Sequence, residues 1–372
     1  MTSVPVADKE DNQFRDRLRN LWRSISVPLI AVLLGLAVGA ILLILSGANP
    51  IEAYSALIEG AFGSPAAVQR TLEKATPLIF SGLAVAFAFK AGLFNIGAQG
   101  QLLLGAVAAA YVGFTFEGLP PLIHAPLALL IGGLAGALYG YIPGALKTYT
   151  GAHEVIVTIM LNYVAINITD YLADGPWKDP SPTNIVARTA RILPSAELPI
   201  LGNIPLGFLF AIAAAIVVWW ILYRTTLGYE VRTVGLNSSA AHYAGIRVSR
   251  MIILTMMISG FLAGLGGAVE TQGIIFRFQP GFNAGLGFDG ITVALLGKTS
   301  PFGVIPAALL LGAMRAGSSQ MQFSAGVASD ITDVITAFIL FFVAADVIVK
   351  TLIRQRGIDD DQVTISSGWS GH

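Results

Sequence analysis

The chain carries repeated stretches of about 20 mainly apolar residues, and this feature limits the folds open to it more than any other. A helix of that length can cross a bilayer because all its backbone groups bond within the segment. Ten candidate segments predict an all-α fold, a polytopic transmembrane helical bundle. Their limits are 27–46, 75–89, 98–116, 122–146, 154–172, 204–222, 251–269, 288–297, 303–318 and 331–349.

The eighth segment, 288–297, is too short to cross a bilayer as an ordinary helix. It is flanked by Gly287, Gly290, Gly297 and Pro301. We interpret it as a half-helix or a re-entrant element packed against protein, where interrupted backbone is tolerated at membrane depth.

Composition excludes several other classes of protein. Hydrophobic residues make up 55% of the chain and charged residues 12%, which is more apolar surface than one soluble core could bury. The formal net charge of zero offers nucleic acid no general attraction. The absence of cysteine excludes thiolate metal sites, and the four histidines are too scattered to form a ligand cluster. We therefore expect a protein in contact with membrane lipid, with no nucleic-acid partner and no metal site.

The distribution of basic residues predicts the orientation, because Lys and Arg are retained on the cytoplasmic side. With the N-terminus inside, most of the 22 basic residues fall on inner segments, and Arg70, Lys74 and Arg315 are among those on outer ones. Both termini are then cytoplasmic. The predicted organisation is a polar N-terminal segment, 1–26, a transmembrane domain, 27–350, and a cytoplasmic tail, 351–372.

Two loops are long enough to carry function. The outer loop, 173–203, is rich in proline and polar residues, which rules out a span and predicts a lid or a docking surface. The inner loop, 223–250, contains an amphipathic stretch from Asn237 to Ile246, with Asn237 or Ser238 as its N-cap and Gly245 as its stop. Its small residues favour docking into another protein over lying on the lipid surface.

No motif for covalent chemistry is complete. GLGFDG at 285–290 matches the dinucleotide pattern, but no strand precedes it. Gly297-Lys298-Thr299 resembles the end of a phosphate-binding loop, but Thr292 stands where its first glycine belongs. We therefore expect no catalytic residues and no ATP hydrolysis by this chain, which is not an enzyme.

Polar side chains at membrane depth are costly and mark either a substrate pathway or hydrogen bonds between helices. Asn95, Gln99 and Gln101 lie in a glycine-interrupted segment, and Glu154, Thr158 and Asn162 share one face of the fifth predicted helix at i, i+4 and i+8. We assign all six to the candidate substrate pathway, with structural bonding as the equal alternative. Amides with few fixed charges suit a neutral solute, such as a sugar or a nucleoside.

Four stretches resemble bacterial ABC-importer permeases of the branched-chain amino acid and simple-sugar class, especially their nucleoside-type branch. They are KAGLFNIGAQGQLLLGA at 90–106, GAHEVIVTIMLNYVA at 151–165, RTVGLNSSAAHYAGIRVSRM at 232–251 and GFDGITVALLGKTSPFGVIPAALLLGAM at 287–314. The resemblance covers residues 25–350 and implies a multi-pass permease of the bacterial cell membrane that imports nucleosides by alternating access. Monosaccharides such as ribose or galactose are the alternative, and branched-chain amino acids come third.

The resemblance also implies partners. They are ABC ATPase subunits that carry the ATP and Mg²⁺, a second permease, homologous or identical, and an extracytoplasmic solute-binding protein. This chain itself would hold no cofactor. The ATPase-coupling loop that the resemblance implies comprises Gly228, Glu230, Arg232, Gly235, Asn237, Ala240, Ala241, Gly245 and Ile246.

A different class of transporter stays open from the residues alone. An ion-coupled secondary transporter would need an intramembrane acid, and Glu154, Glu270 and Asp289 are its candidates. All three lie near predicted helix ends, which favours the ATP-driven importer.

Overall fold

The chain folds almost entirely into α-helices in a computed structural model that describes residues 26, 28–181, 184–281, 285–328 and 330–344. The first seven helices are α1 (Pro28–Leu45), α2 (Pro50–Phe62), α3 (Pro65–Lys90), α4 (Ala98–Thr115), α5 (Pro121–Thr150), α6 (Glu154–Asp174) and α7 (Leu206–Arg224). The others are α8 (Thr226–Leu236), α9 (Ser238–Tyr243), α10 (Val248–Glu270), α11 (Leu286–Leu296), α12 (Pro301–Ala325) and α13 (Asp330–Ala344).

The predicted polytopic bundle is confirmed. Seven helices are long and apolar enough to cross a membrane, namely α1, α3, α5, α6, α7, α10 with the turn that follows it, and α12. The other three predicted segments correspond to α4, to the 11-residue α11 and to α13, so the count of ten is approximate. The predicted segments 1–26 and 351–372 lie outside the described residues, apart from Ser26.

Several helix assignments differ from the sequence prediction. α3 begins at Pro65, not near residue 75, because Ser64 caps it by accepting a hydrogen bond from the Ala67 N–H at 3.1 Å and proline favours the first helical position. Arg70 and Lys74 therefore lie in the first turns of a helix and not in a loop. Arg315 lies inside α12, and α2 was not predicted at all.

The larger of two compact units comprises Tyr54–Met321 in the described part of the chain. α10 lies at its centre and packs on α3, α4 and α5. Gly136 of α5 faces Gly260 and Gly264 of α10 so closely that a Cβ on any of the three would collide with the opposite backbone. The small-residue spacing noted in the sequence thus brings two helix backbones into direct contact, as such spacing does in membrane bundles.

The smaller unit is formed by Met1–Ala53 and Gln322–Asp360, of which the structure describes residues 26, 28–53, 322–328 and 330–344. Here α1 meets α13 at Gly35, where an added Cβ would collide with Ile339. Ala31, Leu43, Ile335 and Ile339 are fully buried in this unit.

The described residues between α6 and α7 contain no membrane span, as predicted. It forms a 3-10 turn, Pro194–Ala196, and a two-stranded antiparallel hairpin, β1 (Ile200–Leu201) with β2 (Ile204–Pro205), in which Ile200 pairs with Pro205. Its backbone is bonded to the chain just after α10, since the Ile192 N–H donates to the Phe276 carbonyl and the Leu198 N–H to the Gln272 carbonyl, both at 2.9 Å.

Candidate functional site

The break between α3 and α4 is organised by a buried pair of side-chain amides. Asn95 Nδ2 donates to Gln101 Oε1 at 2.8 Å, and Gln101 Nε2 donates back to Asn95 Oδ1 at 3.2 Å. Asn95 Oδ1 also accepts the Gly97 N–H, which fixes the turn that opens α4. Asn95 Nδ2 reaches Ser259 Oγ of α10 at 2.8 Å, so the break is tied to the central helix.

Gln99 joins α4 to α11. Its Oε1 accepts the Gly287 N–H at 2.8 Å, and a Cβ at position 287 would collide with the Gln99 backbone. Gly290 lies equally close to Ser81 of α3. Gly287 and Gly290 therefore serve the close packing of a short helix.

Glu154, Thr158 and Asn162 lie on one buried face of α6, as their spacing predicts. Asn162 Oδ1 accepts the Gly100 N–H at 2.8 Å, and its Nδ2 donates to the Ile96 carbonyl at 3.0 Å. Thr158 donates to the Glu154 carbonyl at 2.7 Å, within its own helix.

All six predicted pathway residues are buried, with exposures of 7% or less. Asn95, Gln99, Gln101 and Asn162 bond to neighbouring backbone and side chains, so in this conformation they connect α4 to α6, α10 and α11. Their part in the substrate pathway stays a prediction. What the structure adds is that Asn95, Gln99, Gln101 and Asn162 form a hydrogen-bonded layer inside the larger unit, which we call the amide layer.

The three acids that an ion-coupled transporter could use have different surroundings. Glu154 pairs with Lys147 Nζ at 2.6 Å at the cytoplasmic end predicted for α6, and Asp289 pairs with Arg315. Glu270 is buried, and its Oε2 has no hydrogen-bond partner among the described residues. A π-helical turn, Thr271–Ile275, follows Glu270 directly.

The predicted capped helix in the inner loop is present as α9. Asn237 Oδ1 accepts the Ala240 N–H at 2.9 Å, which confirms the N-cap. At the other end Gly245 adopts a φ of 82°, and the N–H groups of Gly245 and Ile246 bond to the carbonyls of His242 and Ala241. This pair of bonds is the Schellman motif, which confirms the predicted stop.

A second inner-loop helix, α8, was not predicted. Thr225 caps it by accepting the Gly228 N–H at 3.2 Å, and this threonine was the available sequence signal. Added Cβ atoms at Gly228 and Gly235 would collide with the backbones of α7 and of the last turn of α3, respectively. α8 is therefore seated directly on two long helices.

The α8–α9 segment presents an exposed surface. Ala240 and Tyr243 are exposed, whereas Ala241 and Ile246 are buried. Arg232 lies over the Tyr223 ring at 5.1 Å and donates from Nε to the Gly228 carbonyl at 3.3 Å. Glu230 is partly exposed. The segment can thus offer one face to a partner while the opposite face holds it to the bundle.

Residues 67–344 match the family described as branched-chain amino acid transport system / permease component. The guanosine ABC transporter permease protein NupP of Bacillus subtilis is 45% identical over 333 residues, covering 87% of this chain and 94% of that protein. The nucleoside ABC transporter permease protein NupB of Lactococcus lactis is 36% identical, covering 94% and 99%. The glucose ABC transporter permease protein TsgB13 of Haloferax volcanii is 35% identical, covering 86% and 87%.

Proposed function

Because the chain belongs to the branched-chain amino acid transport system permease family, we propose that it is the membrane permease subunit of an ATP-driven importer for nucleosides. The observation that carries this proposal is the 45% identity to a guanosine permease over 87% of the chain. The buried amides of the larger unit agree with it, because they surround the helix break with neutral hydrogen-bonding groups and no net charge.

A monosaccharide importer is the second candidate, because a glucose permease is 35% identical over nearly the same part of the chain. The glucose permease is less identical to this chain than the guanosine permease is, so we rank nucleosides first as the substrate. Branched-chain amino acids come third, since a carboxylate and an ammonium group would need fixed charges along the path.

The α8–α9 segment is the part that we assign to energy coupling. In this proposal Ala240 and its exposed neighbours dock into an ABC ATPase, which carries the ATP and Mg²⁺. Gly235 lies against the backbone of Lys90 and Ala91, and Asn95 follows four residues later. Movement of α8 would therefore reach the amide layer through the end of α3. The chain would perform no covalent chemistry and would alternate access by helix movement.

We place both termini in the bacterial cytoplasm, a second permease beside this one and a solute-binding protein outside. Residues 27–350 would form the membrane domain. The amide layer, together with Glu154 and Thr158, would support the wall of the substrate pathway.

The test is uptake by the complex of this chain with its permease, ATPase and binding-protein partners, reconstituted in proteoliposomes. We expect ATP-dependent accumulation of labelled guanosine that excess adenosine reduces and excess glucose does not. Accumulation of glucose and not of guanosine would show that the substrate is a sugar and not a nucleoside. Accumulation that persists without ATP while a proton gradient is clamped would overturn the ATP-driven class.

A further inference from the structure

The face of α6 opposite the amide layer carries polar groups at membrane depth. α6 has 21 residues, and at about 1.5 Å per residue it matches the thickness of a bilayer core. Tyr163 and Asn167 lie near its midpoint, and both are exposed. These residues therefore fall where a helix facing lipid should carry only apolar side chains.

Neighbouring helices of the same unit show what lipid contact looks like in this protein. The exposed side chains in the middle of α7 are Ile216, Val217 and Trp220, and those of α5 include Leu130 and Leu134. Both faces are apolar, as hydrocarbon requires. The α6 face differs from them in that Tyr163 and Asn167 are exposed at mid-helix among apolar side chains such as Met160, Val164 and Ile168.

The polar groups of this face have unused hydrogen-bonding capacity. Asn167 Nδ2 donates to the Tyr163 carbonyl at 2.7 Å, within the helix. Neither Asn167 Oδ1 nor the Tyr163 hydroxyl has a partner among the residues that the structure describes. Lipid tails cannot supply one, so these groups require a polar partner at membrane depth.

The polar groups form a stripe along the helix. Tyr163, Asn167, Asp170 and Tyr171 stand at i, i+4, i+7 and i+8, which is one helix face. Tyr163, Asn167 and Tyr171 also line an open surface groove, together with Val164, Ile168 and Leu172. The stripe thus places two aromatic rings and an amide along one open groove.

From this geometry we propose that the stripe Tyr163, Asn167 and Tyr171 lines the solute path and contacts the nucleoside directly. The tyrosine rings offer stacking surface for a nucleobase, and the Asn167 amide offers a hydrogen-bond partner for its edge. A second permease facing α6 closes the groove into a channel. This inference rests on the proposed function for its ligand, but its claim of a wetted face is independent of the ligand.

The chain has no cysteine, so a single introduced thiol reports on one position. We would compare Asn167→Cys with Val217→Cys, its control on the apolar face of α7, using a charged methanethiosulfonate reagent on the assembled complex in membranes. We expect labelling at 167 to be at least tenfold faster than at 217, and guanosine to slow it. Equal labelling rates at the two positions would overturn the proposal. Efficient oxidative cross-linking of position 167 to the second permease, with no labelling by the charged reagent, would also overturn it, because it indicates a dry interface.

Transport separates this inference from the proposed function. Tyr163→Leu, which removes the ring, should raise the KM for guanosine at least threefold. If wild type imports guanosine and both Tyr163→Leu and Asn167→Leu match it, the stripe assignment fails and the function stands. If wild type imports no nucleoside but position 167 is labelled, the nucleoside proposal fails and the path assignment stands.

Discussion

Gly235 of α8 lies directly against the carbonyl of Lys90 at the end of α3, with no side chain between the two backbones. Gly92, two residues beyond Lys90, has a φ of 70° and also faces Gly235. The inner-loop helix and the start of the helix break are therefore in contact at one point.

Gly235→Ala should uncouple transport, because its Cβ would collide with the Lys90 carbonyl and push α8 off α3. We expect normal membrane insertion and at least a tenfold loss of ATP-dependent uptake. The control is Gly273→Ala, whose Cβ would meet only ordinary contacts at 3.8 Å or more. Wild-type uptake in the Gly235 variant would show that this contact does not transmit movement.

Ala240→Arg should abolish association with the ATPase and leave the fold intact, because Ala240 is exposed. Ala241→Arg should also destabilise the protein, because Ala241 is fully buried. The measurements are co-purification of the ATPase and thermal unfolding of the solubilised permease. Glu117→Arg, an exposed change in the segment after α4, is the control. Normal transport by the Ala240 variant would refute the coupling assignment.

Asn95→Leu should lower both stability and uptake, because it leaves Gln101 without its amide partner in a buried site. An unsatisfied buried group costs about 1–3 kcal/mol, and two groups that share one interaction do not lose stability additively. Asn95→Leu combined with Gln101→Leu should therefore be less destabilised than the sum of the single variants. Additive losses in thermal unfolding would show that the amide pair is not coupled.

Acid should loosen the segment between α6 and α7 through Asp179. Its side-chain and backbone bonds to Ser181, with the Arg188 charge, hold the pKa of Asp179 below its ordinary value of 3.8. Because the folded-state pKa is lowered, ionised Asp179 stabilises the folded protein at pH values above its ordinary pKa. That stabilisation is lost as the pH falls through the folded-state pKa. Hydrogen exchange in 175–205 should rise below about pH 4, and Asp179→Asn should remove that dependence.

Asp174→Asn is the matched control, since Asp174 pairs with Lys178 on the exposed surface. It should leave the acid dependence in place. An unchanged pH profile in Asp179→Asn would assign the loosening to another group.

Local signals in the sequence were sufficient for α9. Asn237 and Gly245 act within their own helix turns, so their roles are visible without knowledge of the bundle. The sequence prediction begins α3 too late because Arg70 and Lys74 lower the hydropathy of its first turns. Ser64 followed by Pro65 is nevertheless a recognisable N-cap signal.

The two polar faces of α6 show that helical periodicity alone does not predict which face packs inward. Spacing correctly placed Glu154, Thr158 and Asn162 on one side of the helix, and the same spacing places Tyr163, Asn167 and Tyr171 on another. Which polar face packs inward depends on α4, whose Gly100 admits Asn162 at hydrogen-bond distance. That choice is made by tertiary packing, so no single-helix pattern contains it.

The backbone contact between α5 and α10 restricts how the permease can change shape. At Gly136, Gly260 and Gly264 the two backbones are in direct contact, and beside them Phe261 and Leu265 of α10 pack against Gly133 of α5. The two helices should therefore travel as one stiff body throughout a transport cycle. Opening and closing must then be absorbed at joints outside this pair, and the break between α3 and α4, where regular helix stops, is one such joint.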